Sequence, residues 1–238
     1  MTPMRFFKFG GAVAAIALFS LAGMVFTSSR VHADSPNTDS RIQIGFNIAP
    51  VKLNMKGLNP SLVGIGSYIV NGQADCNGCH NSPDLGGEWA VGGNPYFGQP
   101  KMVNTAGYLG GGMTFGPFPG KDSNGVAPLT IYSRNLTPDV SGLPEGGHTL
   151  QEFMTILRTG HDFDAAHPAC STGKLGAEGC ISSPFAPDLL AVMPWPVQGN
   201  MSDNDIEAIY EYLRAIPCIS HTGSTGLPSN LYQTCPAP

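Results

Sequence analysis

Apolar residues recur along this chain at two spacings. From Ile42 they alternate with polar ones, as Ile42, Ile44, Phe46 and Ile48 and, after Pro50, as Val51, Leu53 and Met55. A period of two is that of extended chain, so 34–58 predicts a polar lead followed by an extended strip lying on the domain. At Asn59-Pro60 the period changes. Leu62, Val63, Ile65, Tyr68, Ile69 and Val70 recur at helical spacing, Asn59 offers an N-cap, and proline is tolerated at the first helical position, where its missing N–H would lack a partner. Gly64 and Gly66 leave bare backbone for another helix to approach, and Asn71-Gly72 predicts the stop.

Two further helices announce themselves by their caps. Thr149-Leu150-Gln151-Glu152 has the spacing and chemistry of a capping box; Leu150, Phe153, Met154, Ile156 and Leu157 make one apolar face, and Gly160 ends it. Ser202 caps the last helix, with Asp203 and Asp205 at its positive end, Ile206, Ile209, Tyr210 and Leu213 along one face, and Pro217 closing it. Between the first and second helices, 81–128 is dense in glycine and predicts a long ordered loop. Its Gly120-Lys121-Asp122 lacks the Ser/Thr of a phosphate loop, and Asp122-Ser123-Asn124-Gly125 reads as a plain turn.

The first 33 residues follow another logic. Arg5 and Lys8 precede an apolar run from Gly10 to Thr27, and Val31-His32-Ala33 supplies small residues before Asp34, which predicts a secretory signal peptide over 1–33. An uncleaved anchor helix is the alternative, because the run is just long enough to span a bilayer. Either way the remaining chain faces an oxidising space, the periplasm or its equivalent, with no transmembrane span after cleavage.

Cleavage also changes the charge. Of the 12 Lys and Arg, three (Arg5, Lys8, Arg30) lie in 1–33; the nine left stand against 17 Asp and Glu, a formal −8. So acidic a chain is not a nucleic-acid binder, and its field favours partners with a basic patch. The 31 glycines and 21 prolines predict few helices among long ordered loops.

The chemistry lies in Cys76-Asn77-Gly78-Cys79-His80. Two thiols three apart can each add to a haem vinyl group, and the adjoining imidazole can then reach the iron, so this run predicts one covalently bound haem c with His80 as proximal ligand. A thioredoxin-type dithiol would want a βαβ context, and a zinc site a second pair of soft ligands at short spacing; neither surrounds the motif. Met193, stiffened within Val192-Met193-Pro194-Trp195-Pro196, is the candidate sixth ligand. Met102 and Met113 are weaker candidates, Met154 and Met201 read as core filling, and His148, His161, His167 and His221 lie in polar, loop or capping contexts. Trp195, Tyr132 and Arg134 are candidates to pack on the ring or bond its propionates, with plain core packing the alternative for the first two.

These residues resemble class I c-type cytochromes. More narrowly, Ile131 to Asp139, Leu150 to Gly160, Met193-Pro194-Trp195 and Asp205 to Leu213 resemble, in order, a single haem module of the cytochrome c subunits of membrane quinoprotein alcohol and gluconate dehydrogenases. The resemblance spans roughly 60–217 and implies an all-α class I cytochrome c fold, electron transfer and Met193 as distal ligand. Those subunits carry three haems, whereas this chain has one C-x-x-C-H, and its glycine-rich loop and 161–190 segment are longer.

The expected organisation is therefore a signal peptide (1–33), an extended segment (34–58), a monohaem domain (59–217) with an insertion at about 84–128, and a tail (218–238). Loop length favours disulfides Cys170–Cys180 and Cys218–Cys235, a free redox pair being the alternative. The expected role is a periplasmic one-electron carrier between a dehydrogenase donor and an oxidase or other cytochrome acceptor. Its rivals are a tightly held electron-accepting dehydrogenase subunit and a haem enzyme or gas-binding protein with open iron.

Overall fold

In the computed structural model the described residues are 39–118, 120–121, 129–161, 163, 180–181, 186, 188–221, 231 and 233–236. The signal segment 1–33, His167 and Cys170 lie outside them. The helices are α1 (Ser40–Ile48), α2 (Pro60–Tyr68), α3 (Cys76–His80), α4 (Leu150–Thr159), α5 (Trp195–Gln198) and α6 (Asp203–Ala215); the strands are β1 (Thr114–Phe118), β2 (Gly120–Lys121), β3 (Leu129–Tyr132) and β4 (Cys180–Ile181).

α1 corrects the extended reading of 34–58. Asp39 caps it by accepting from the Arg41 amide at 2.9 Å, and the residues turned inward are Ile42, Gly45, Phe46 and Ala49, a helical spacing. Ile44 and Ile48 stay exposed, so half of the apparent alternation carried no burial. The extended strip begins after the helix. Val51, Leu53 and Met55 pack on the core, and the Asn54 amide donates to the Ala215 carbonyl at 2.8 Å.

α2 is the middle layer between α1 and α6, and its two glycines set both crossings. A Cβ on Gly45 of α1 would stand 1.9 Å from the Gly64 carbonyl oxygen; one on Gly66 would stand 1.9 Å from that of Ala208 in α6. Backbones this close leave the surrounding Val63, Val70, Ile206, Tyr212 and Leu213 buried, and Ser67 Oγ donates to the Gly45 carbonyl at 2.7 Å. The expected stop at Asn71-Gly72 gives way to a π-helical turn, Ile69–Gln73. Asn71 bonds the Ser67 carbonyl and Tyr212 Oη there, so its amide serves the packing instead of ending the helix.

Among the described residues the helical core carries two small antiparallel sheets, which an all-α reading leaves out. β1 pairs with β3 (Thr114↔Tyr132, Phe115↔Ile131, Phe118↔Leu129, with an irregular register between Phe115 and Phe118), and β2 pairs with β4 (Gly120↔Ile181, Lys121↔Cys180). Glycines and prolines around Thr114–Phe118 break up its alternation, so this strand had no period to read. Lys121 belongs to a strand, not a phosphate loop.

α4 has both halves of its capping box, and Gly160 ends it at φ +72°. Hydrogen bonds from Thr149 hold the Glu152 carboxyl below its ordinary range, and Arg41 does the same to Asp39. A carboxyl with a folded-state pKa below its unfolded one stabilises above the unfolded value and loses that contribution as pH falls through the folded one. The expected result is a thermal midpoint that drops between about pH 5 and pH 3, with a smaller drop in Glu152→Gln. Equal drops in both proteins would remove the capping box from the acid response.

Cys218 and Cys235 form a disulfide, Cα–Cα 5.6 Å, as loop length predicted. Closing a loop of 17 residues by a disulfide stabilises a fold by about 3 kcal/mol.

Candidate functional site

The C-x-x-C-H run is a single helical turn, α3, entered through Asp75 at φ +47°. One turn places Cys76 and Cys79 on the same side of the helix. Both thiols are free, Cys76 half-buried and Cys79 exposed. The intervening residues are used too. Asn77 Oδ1 accepts from the Leu109 amide at 3.0 Å, and Gly78 leaves room for the Asp75 carboxylate, which a Cβ there would meet at 2.7 Å.

His80 is buried, 8 % exposed, and its Nδ1 lies 2.8 Å from the Arg134 carbonyl oxygen. A carbonyl only accepts, so Nδ1 carries the proton and Nε2 the lone pair. Burial holds the imidazole pKa below its ordinary value, the Arg134 hydrogen bond pulling weakly the other way. The ring is therefore neutral at neutral pH, the form that ligates a metal.

Both thiols are shifted upward. Burial, then the charge of Asp75, then Cys79, push Cys76 up to about 12; burial, Asp75 and Glu88 raise Cys79. A redox dithiol needs a lowered thiol pKa, so this environment is wrong for thioredoxin-type chemistry. Among the described residues no group of three or more His, Cys, Asp or Glu could hold a metal ion, which leaves a zinc site no further ligands there.

A strap cut from the glycine-rich stretch holds α3 from behind. Ser82 donates its amide to the Gly107 carbonyl (3.0 Å), Leu109 binds Asn77, and Gly111 donates to the His80 carbonyl (2.7 Å). On its other side the strap meets 133–136, where Gly112 donates to the Ser133 carbonyl and Leu136 to the Leu109 carbonyl. Gly111, at φ +74°, lies so flat on the Arg134–Asn135 peptide that a Cβ would stand 2.4 Å from the Arg134 oxygen. Tyr108 is buried and joins Tyr212 of α6 through their hydroxyls at 2.9 Å. Part of the expected insertion is thus a wall of the site.

The other sequence candidates fall in separate places. Arg134 supplies its carbonyl to His80. Tyr132 is half-buried at the end of β3 opposite Thr114. Trp195 packs on Gly160, where a Cβ would meet its ring at 2.4 Å, and donates Nε1–H to the Leu190 carbonyl at 3.1 Å, a packing role. Met193 is half-buried against the core, its carbonyl accepting from the Trp195 amide at 2.8 Å. Met102 is exposed, and Met113 is fixed to Ser133 by bonds in both directions. His161 is exposed; His148 faces the Glu145 carbonyl through Nδ1. His221 has Nδ1 on Asp84 and Nε2 on Gly110, which commits both ring nitrogens.

The chain matches no protein-family model, no curated protein and no solved structure.

Sequence reasoning missed Asn77, Gly111 and Asn135 as parts of the site. Asn77 had a signal, since it sits inside the motif. Asn135 opens a formal glycosylation sequon, yet it is 3 % exposed with its amide bonded inward, so the structure makes it an internal brace. The donor set fits a covalently held haem: two free thiols on one turn and a buried neutral imidazole with its distal nitrogen carrying the lone pair.

Proposed function

We propose that the chain is an exported monohaem c-type cytochrome of class I, a one-electron carrier in a respiratory or dehydrogenase chain. The observation that carries this reading is His80, buried beside two free cysteines with Nδ1 on the Arg134 carbonyl at 2.8 Å, which presents Nε2 as a ligand. Proximal histidines need such a partner, because it fixes the tautomer and the ring plane and makes the ligating nitrogen a better donor.

Cys76 and Cys79 are the residues that would hold the haem through thioethers, and His80 and Met193 those that would ligate its iron. When bound, the haem supplies a one-electron Fe(III)/Fe(II) couple, which Met/His ligation biases toward the reduced state. The residues of the chain then have three tasks. His80 and its Arg134 acceptor keep the proximal ring from turning. The strap and the Tyr108–Tyr212 pair exclude water from behind α3, and the exposure at Cys79 leaves an edge for electrons to cross.

The test is the mass of the mature protein. It should exceed the polypeptide by one haem that acid and organic solvent do not extract, and Cys76→Ala with Cys79→Ala should remove that excess. A mature protein weighing only its amino acids ends the proposal. Rapid carbon monoxide binding by fresh reduced protein would instead support an open-iron enzyme or gas binder.

A second reading, a tightly held electron-accepting subunit of a membrane dehydrogenase, draws on Val91, Tyr96 and Phe97. These stand 103 %, 82 % and 77 % exposed in the 86–104 excursion, more apolar surface than a freely diffusing protein ordinarily leaves in one loop. Co-purification with a quinoprotein or flavoprotein through high salt favours it, and a lone cytochrome in the wash favours the free carrier.

A further inference from the structure

The carbonyl that fixes His80 belongs to a segment with its own support, and that support is the chain's tail. Asn135 follows Arg134 directly. Its Nδ2 donates to the Ile219 carbonyl (2.8 Å) and the Leu231 carbonyl (3.3 Å), and its Oδ1 accepts from the Thr137 amide (3.0 Å) and hydroxyl (2.7 Å). Thr137, which has no exposed surface, accepts at Oγ1 from the Ile219 amide (3.0 Å) and from Gln233 Nε2 (2.6 Å). Ile219 and Gln233 flank the two ends of the Cys218–Cys235 disulfide.

A second branch leaves the same tail. His221, with its side chain wholly buried, donates Nε2–H to the Gly110 carbonyl at 2.6 Å, and its Nδ1 faces Asp84 Oδ2 at 3.0 Å. Gly110 precedes Gly111, whose amide holds the His80 carbonyl. The two branches therefore converge on one residue: one reaches the acceptor of the His80 ring proton, the other the donor to the His80 main chain.

We propose that the disulfide-tied tail positions the proximal histidine, with Asn135, Thr137 and His221 as positioning residues that keep the Arg134 carbonyl and Gly111 amide seated on His80. The proposal rests on the cytochrome reading. It gives the Cys218–Cys235 bond a function beyond stability: a slack tail lengthens the Nδ1–H···O contact, the ring donates less electron density, and the ferric state loses support. General loosening, by contrast, admits water to the haem and favours the ferric state.

The two effects have opposite signs, which makes the test sharp. Thr137→Val keeps the shape and removes the hydroxyl, Thr137→Ser restores it, and C218S/C235S removes only the covalent tie. In potentiometric titration of the holoproteins, Thr137→Val and the cysteine pair should raise the reduced-to-oxidised ratio at fixed poise about threefold, with the sulfur-to-iron band retained. Thr137→Ser should match the wild type. A ratio unchanged or lowered in both altered proteins overturns the proposal, as does loss of the sulfur-to-iron band. If Thr137→Val gives no holoprotein, the cysteine pair decides alone. A wild-type protein without haem fails the cytochrome reading instead, and its mass reveals that before any titration.

Discussion

Met193→Ala should keep its haem and lose its near-infrared sulfur-to-iron band. Thioethers at Cys76 and Cys79 would not depend on Met193, so attachment should survive while the ligation of the iron changes. Loss of the thioether removes the ligand that favours Fe(II), and the reduction potential should fall by on the order of 0.1 V or more. Met193 is half-buried against the core from a segment braced by Pro194 and by the Trp195 contact with Gly160. Both nitrogens of His221 are committed, Met102 is exposed, and Met113 is bonded through its main chain to Ser133, beside the Arg134 carbonyl that holds the proximal ring. Met113→Ala is the matched control and should leave the band in place. A band that persists in Met193→Ala and vanishes in Met113→Ala would move the ligand to the glycine-rich stretch.

Gly66→Ala should be the most damaging single methyl in the helical core. Helix propensity favours alanine over glycine by about 1 kcal/mol, so on α2 alone the change would stabilise. The tertiary contact reverses the sign. The new Cβ would stand 1.9 Å from the Ala208 carbonyl oxygen and 2.5 Å from its carbon, and main chain cannot turn aside as a side chain can. Forcing α2 and α6 apart opens the seam around Val63, Ile206 and Tyr212, at a net cost of about 3 kcal/mol, near the upper end for overpacked cores. Gly72→Ala is the control: its Cβ would meet Ile48 Cδ1 at 3.4 Å and the Tyr68 ring at 3.7 Å and beyond, ordinary side-chain contacts. Chemical denaturation should show a large loss of midpoint for Gly66→Ala and little change for Gly72→Ala. Equal midpoints would mean that the crossing can slide.

The contrast between these glycines also marks how far the sequence could be read. Gly64 and Gly66 stood out as contact points because they interrupt an apolar helical face, and they proved to be the two crossings of α2. The capped helices were legible for a similar reason: Thr149 with Glu152, Gly160 and Ser202 are local signals that need no knowledge of the rest of the fold. The Cys76–His80 run stood out because its residues are adjacent, and it folds as one helical turn. α1 was misread because Ile42, Ile44, Phe46 and Ile48 alternate by chance, and only burial separates the two that pack from the two that do not. The strap was illegible for a deeper reason. Its work is carried by main-chain groups of Gly107, Leu109 and Gly111, and a backbone amide has no letter in the sequence. The brace at Asn135 depends on partners 84 and 96 residues away, beyond any local pattern.

Were Cys76 and Cys79 to receive a haem, their thiols and the Cys218–Cys235 pair would have to be kept apart, and the folded surroundings of Cys76 help. On the haem reading, Cys218 and Cys235 join while Cys76 and Cys79 have to remain unjoined until each meets a vinyl carbon. Thiol exchange runs through the deprotonated sulfur, and burial, which pushes Cys76 up to about 12, keeps that form scarce at neutral pH. Once folded, Cys76 is thereby slow to exchange with the Cys218–Cys235 disulfide, and its thiol is kept free by kinetics.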